Sequence, residues 1–376
     1  MNFKILIFIC SVCLPMASIQ GKNIGKKLQQ YMAVQKVEGK KLDIKTEFGP
    51  NLSGTILSST SLSNLDLSSV DLSSSSFDRV RFINIDFSNT NFDNTIMNES
   101  EFSNCKFNRI SAKGVKFENS LFDNVSFINS VATQSDFSSV GLNNVDMSDS
   151  DFTSANFTDT QFTRGNFQNS IFSSAIFKNT KINKSNLSKA NFYATDFRNA
   201  IIIDSILDLS SFEASDLSKA KLSNLAFKKV VLKYAIVDNI DFSNATFSNV
   251  DASDIFGTFA NFTAAKIIDS NFSHSNLSNA NFSSCEIENS NFSSANLISS
   301  DFSTSMLKNL DATKAKLSGI FFKKSVISDI NFTSAVFSGT KFNNSVVQNS
   351  VFDYAETDLI DYGDSKFLNN KGLKGR

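Results

Sequence analysis

The 376-residue chain has no tryptophan, one histidine, two prolines and four cysteines. Each shortage excludes something. With His274 alone, serine–histidine catalysis, zinc ligation and imidazole base chemistry would all have to rest on one side chain, two residues after Phe272. Two of the cysteines, Cys10 and Cys13, fall in an N-terminal apolar run, which leaves Cys105 and Cys285 and no basis for a disulfide framework. No glycine-rich phosphate loop is present. The net charge of −1 supplies no global field for nucleic acid or an anionic membrane. After the N-terminus, no apolar run is long enough to span a bilayer.

The N-terminus differs from the rest. A short basic start, Met1 to Lys4, leads into the apolar run Ile5–Leu14 and then "PMASIQG". Residues 1–21 read as a secretory signal peptide, so the expected destination is the periplasm or the outside. Residues 22–50 form an expected N-terminal cap, partly helical, with Leu28, Tyr31 and Met32 on a short amphipathic helix ended by Gly39.

What the chain has in abundance is phenylalanine, 39 residues, set in serine and asparagine. In "SNFSHSNLSNANFSSCEIENSNFSSANLISSDFS" (270–303) the large apolar residues recur every five places. An amphipathic helix repeats near 3.6 residues and a half-buried strand every 2. The beat runs from Leu52 to Phe352 without insertion or deletion, and Gly257 is the one centre that is not apolar and larger. Two residues before each centre stands a second selected residue, mostly Ala, Ser, Thr, Val or Ile; Asp or Asn often precedes the centre and Ser or Thr commonly follows it. Two inward positions in five require a corner every five residues, a task suited to Asn, Asp and Ser. Four corners close a square coil of 20 residues. Ala112, Ala132, Ala252 and Ala312, the only alanine centres, are separated by multiples of 20 and would share one side. Ile110, Val250 and Leu310, two residues before three of them, would compensate the lost volume.

This pattern resembles the pentapeptide-repeat family, over about 300 of the 376 residues. The resemblance implies an all-β fold, a right-handed quadrilateral parallel β-helix of about 15 coils over residues 51–356, with a C-terminal cap and tail at 357–376. It also implies a bacterial origin. Phe242, Phe262, Phe282, Phe302, Phe322 and Phe342 would then stack as one core ladder. At "DASDIFGTFANF" (251–262) the residues allow a local bulge or pocket, or a packing defect filled by the rings of Phe256 and Phe259; the filled defect is the expectation.

No catalytic, cofactor-binding or metal-binding residue is assigned, and no cofactor. Cys105 and Cys285 read as small buried hydrophobes nine coils apart. The acidic pairs Asp149/Asp151 and Glu286/Glu288 lie across corners with no groove implied, and the glycosylation sequons at Asn156, Asn261, Asn271 and Asn291 follow from the repeat itself. Charge is uneven along the chain. Net charge is −8 over 52–160, +5 over 161–240, −6 over 241–307 and +2 over 308–356. Arg164 over Lys184 and Lys178 over Arg198 would put like charges one coil apart, making a candidate partner-binding basic band. The leading reading is an exported, monomeric, non-enzymatic rod that binds an unidentified protein rather than nucleic acid. The resemblance supplies two alternatives: a DNA-mimicking modulator of a type II topoisomerase, and a secreted effector acting on a host protein.

Overall fold

The computed structural model describes residues 24–28 and 42–373. The signal-peptide reading of residues 1–21, and Tyr31 and Met32 of the expected cap helix, lie outside the described residues. From residue 51 onward the chain is a parallel β-helix whose coils step by 20 residues. One column of bridges runs Asn51, Asp71, Asn91 and so on to Val351 and Lys371, sixteen steps in unbroken register. At about 4.8 Å per step, the rod is roughly 75 Å long.

Local chemistry explains the corner. Every centre from Leu52 to Phe352 is buried, Gly257 included. Two residues later the backbone enters the left-handed region, as at Asn84 (φ 55°), Asn89 (φ 60°) and Asn94 (φ 57°). Asparagine tolerates that conformation better than most residues, which accounts for its frequency there. The Asp or Asn before the centre has a different task. Its side-chain oxygen accepts the N–H of the residue after the centre, as Asp86 does from Ser88 (3.0 Å) and Asp136 from Ser138 (2.9 Å). At many corners the turn is closed by a bond such as Thr90 N–H to Phe87 O, 3.1 Å. Other corners are wider, and there a serine of the next coil accepts instead: Gly165 N–H to Ser185 Oγ is 3.0 Å and Ser185 N–H to Ser205 Oγ is 3.1 Å.

The rod has four sides. Side I carries strands such as Gln161–Thr163, Lys181–Asn183 and Ile201–Ile203; side II follows it and carries Ala226–Lys228 and Thr246–Ser248. Side III holds the column of Asn51 to Lys371, and side IV holds residues such as Ile236, Phe256 and Asn276. Extended pairing forms an eight-stranded sheet on side I from Ser61 to Ile203, then passes to side II as a second eight-stranded sheet from Ala226 to Leu368. That handover was not visible in the periodicity.

The interior is a column of rings. Centroids are 4.6 Å apart for Phe262–Phe282 and Phe282–Phe302, with planes within 10°, and the stack extends to Phe242 below and to Phe322 and Phe342 above. Small buried hydroxyls donate to carbonyls of the preceding coil, as Thr160 Oγ1 does to Phe137 O at 2.6 Å. No buried side-chain polar atom among the described residues lacks a partner. Leu310 does not fully compensate Ala312: an apolar void of about 30 Å³ remains, lined by Leu310, Ala312 and Phe302 among others.

The region around Gly257 corrects the expectation of a defect filled by two rings. Phe256 and Phe259 point outward, 58% and 61% exposed. Val237 and Leu277, from the coils on either side, occupy the place of the missing side chain; a Cβ on Gly257 would stand 2.5 Å from Val237 Cγ2 and 3.0 Å from Leu277 Cδ2. The register passes through without a bulge, from Ile236 to Phe256 to Asn276. The period already assigned Phe256 and Phe259 to outward positions, and the backbone obeys it.

At the N-terminal end, residues 24–28 are helical and bury Ile24 and Leu28. β1 (Leu42–Asp43) pairs in parallel with Leu65–Asp66, and α1 (Ile44–Phe48) follows, burying Ile44. At the other end the 20-residue register runs past residue 356, through Lys366–Leu368 to Lys371, although Thr357 holds a centre and Tyr362 and Phe367 are only half-buried. Backbone pairing sustains a coil there with little apolar fill. No helix among the described residues is long and apolar enough to cross a membrane.

Candidate interaction surface

Charged side chains among the described residues stand on the outside of a filled rod. His274 is exposed at a left-handed corner, φ 58°. Asp149 accepts from Asn169 Nδ2 at 2.9 Å, whereas Asp151 accepts from Thr153 N–H at 2.9 Å. Glu286 is engaged by Lys266 and Glu288 by Lys308, each at 2.9 Å. No group of three or more His, Cys, Asp or Glu among the described residues is placed to hold a metal ion. Cys105 and Cys285 are buried free thiols. Burial pushes their pKa values up to about 11 and about 12, so both stay protonated at neutral pH. Two shallow depressions, about 470 and 430 Å³, lie over Asn104, Asn124 and Asn144 and over Leu121, Gly141 and Gln161.

The basic segment 161–240 is not a ring around the rod. Eight of its eleven bases (Arg164, Lys181, Lys184, Lys189, Lys219, Lys221, Lys228 and Lys229) fall on sides I and II and their corners, with only Asp204 and Asp208 of the six acids. The four bases chosen from sequence divide accordingly. Arg164 and Lys184 are stacked on the corner between sides I and II, with Arg164 N–H bonded to Asn183 O at 3.0 Å and its guanidinium donating to Asn143 Oδ1 at 2.6 Å. Lys178 and Arg198 belong to side IV. There Arg198 is bound to Asp196 at 2.6 Å and stands 3.7 Å from Asp216. Burial works against the charge on Asp196, but the hydrogen bonds and charge of Arg198, with Lys178, hold its carboxyl below the ordinary value. The charge of Arg198 is thus largely answered within the rod. Sequence reasoning missed Lys181, Lys189, Lys219, Lys221, Lys228 and Lys229, although their numbers modulo 20 assign each to a side.

Three exposed aliphatic residues share this surface. Ile203, Ile206 and Leu209 are 49%, 54% and 49% exposed and follow one another along a single coil, across the handover between the two sheets. Leu209 N–H bonds to Lys228 O and Lys189 N–H to Asp208 O, each at 2.9 Å, so Lys189 and Lys229 flank Leu209 on the coils before and after it.

Two repeat-family models match the chain: one described as "Pentapeptide repeat region", over 75–152 and 115–192, and one described as "Pentapeptide repeats (8 copies)", over 190–224, 210–249, 258–293 and 285–323. Between them they cover more than half of the chain. The chain belongs to the pentapeptide-repeat family. No curated protein matches it. Among solved structures, full-length QnrB1, a plasmid-mediated fluoroquinolone resistance protein, is 16% identical and aligns over 52% of this chain and 88% of its own, with a TM-score of 0.24. HetL, involved in heterocyst differentiation regulation in the cyanobacterium Nostoc sp. strain PCC 7120, is 16% identical over 69% of this chain and 89% of its own, with a TM-score of 0.17. A thylakoid-lumen pentapeptide-repeat protein of Arabidopsis thaliana is 19% identical over 30% and 66%, with a TM-score of 0.15. Likenesses this weak carry no argument about what the present rod binds.

Proposed function

We propose that this pentapeptide-repeat protein is an exported, monomeric, non-enzymatic interaction rod of bacterial origin, which binds a protein partner through its outer sides. One observation carries the reading. The interior is occupied along its length by stacked centres, so the chemistry available to another molecule is the surface. On that surface the sign of the charge changes along the rod, net positive over 161–240 between two net negative stretches. Export rests on the sequence of residues 1–21 alone. The test is to fractionate producing cells, recover the processed chain through an affinity tag, and identify what co-purifies stoichiometrically. A specific protein in the periplasmic or extracellular fraction is the expected result. Recovery of the unprocessed chain in the cytosol with nothing bound would end the proposal.

A duplex-mimicking modulator of a type II topoisomerase calls for a continuous acidic surface, and here the acidic stretches are interrupted by the basic one. A gyrase supercoiling assay with the purified rod should therefore show no inhibition or protection. A secreted effector differs from the main reading only in whose protein is bound, which the identity of the co-purifying partner decides.

A further inference from the structure

Building on the interaction-rod reading, we propose that the docking surface is the ridge formed by sides I and II between Arg164 and Lys229. The fitting partner is a protein segment rich in carboxylates and bearing large aliphatic side chains.

The placement of the bases is the first support. Arg164, Lys184, Lys189, Lys219 and Lys229 all occupy left-handed corners, with φ of 57°, 53°, 58°, 60° and 54°. Asn144, Asn169, Asn179, Asn199, Asn224 and Asn249 show what suits neighbouring corners better. Long cations therefore stand where the local backbone favours another residue.

Their lack of partners is the second. At three places off the ridge the 20-residue step brings a base over an acid, Arg81–Glu101, Lys266–Glu286 and Lys308–Glu288, at 2.7 to 2.9 Å. None of the eight ridge bases makes an ion pair among the described residues, and Arg164 and Lys184 are stacked like on like. The ridge holds positive charge that the fold itself does not neutralise.

The third is the aliphatic line. Ile203, Ile206 and Leu209 run through the middle of the ridge, with Lys184 and Lys189 on the coil before and Lys221, Lys228 and Lys229 on the coil after. An apolar centre inside a charged rim is the anatomy of a protein–protein contact. The alternatives fit less well. Reading bases calls for aromatic platforms or forked arginines, but no aromatic side chain points outward on the ridge, and its one arginine is tied to Asn143. An anionic membrane would meet Asp204 and Asp208, which alternate with the three aliphatics, so seating the line in headgroups would set carboxylate against lipid phosphate. A polypeptide can satisfy those two acids with its own N–H groups while offering carboxylates to the lysines.

The test places a photo-crosslinking amino acid at Ile206 in the full chain, in producing cells, and sequences the adduct. The expected adduct is a protein peptide of net negative charge containing Leu, Ile or Val, and its yield falls at least about tenfold in a Lys184→Glu/Lys189→Glu/Lys229→Glu background. Lys184→Asn/Lys189→Asn/Lys229→Asn should lower the yield too, and because Asn suits these corners it separates lost charge from lost fold. An adduct with lipid, with nucleic acid or with a basic peptide overturns the proposal. So does a yield that neither triple variant changes, or no adduct at all. If wild type still co-purifies a partner in any of those cases, the ridge falls and the interaction rod stands; if nothing co-purifies with wild type, the underlying reading falls as well.

Discussion

At Gly257 the repeat lacks its centre, and restoring one looks like a repair. The packing says otherwise, because Val237 and Leu277 already hold that space. Gly257→Leu should destabilise the rod by about 1–3 kcal/mol, the usual range for overpacking, measured by chemical denaturation. An increase in stability would mean that the site is empty. Corner lysines should behave in the opposite way. Lys189→Asn and Lys229→Asn replace a disfavoured left-handed residue by a tolerant one, and each should raise stability by roughly 0.5 kcal/mol while weakening partner binding. Unchanged stability in both would remove the argument from corner strain. The two thiols give a pH dependence with a definite sign. Their folded pKa values, about 11 and about 12, lie above the ordinary thiol value, so folding favours the protonated form. Stability they supply is complete below about pH 8.5 and is lost as pH rises through the folded values. Cys105→Ala/Cys285→Ala should flatten the fall in melting temperature between pH 9 and 11; an unchanged slope would show that the thiols are not its source.

Among the elements, the side is the unit that matters, and each side has its own filling. At the void of about 30 Å³ beside Ala312 the alternation of large and small falls short. Ala312→Val should fill part of it and raise stability by up to about 0.7 kcal/mol, taking roughly 24 cal/mol per Å³. Destabilisation would mean that Leu310 and Phe302 cannot accommodate the added methyls. Much of this level was legible in the sequence. The alanine centres share side III, and the ring ladder follows from steps of 20. The outward direction of Phe256 and Phe259 was legible too, since the period places both on outward positions; the expectation that they fill a gap came from composition, and the register overrules it. The passage of the extended sheet from side I to side II near Ile203 and Ala226 was hidden: it depends on which corners close their turn, and the residues there obey one consensus throughout.

For the whole molecule, a net charge counted along the chain conceals where the charge lies. The basic segment looked like a band when read linearly. Folding sends Lys178 and Arg198 to side IV, where Asp196 and Asp216 answer Arg198, and gathers Lys181, Lys189, Lys219, Lys221, Lys228 and Lys229 with Arg164 and Lys184. A linear sum could not separate the two groups, because side assignment requires each residue's place in the coil and pairing requires its reach. The same arithmetic that found the coil would have found the ridge, had it been applied to the outward positions as well as the inward ones.

Every functional statement depends on a chain that winds as a narrow, filled, four-sided coil and therefore has only outer surface to offer. Small-angle X-ray scattering of the purified chain measures that shape most directly. The account predicts a maximum dimension of about 80 Å, from sixteen steps of roughly 4.8 Å. A compact body of this length would have a radius of gyration near 21 Å and a maximum dimension of about 55 Å, and that result would contradict it.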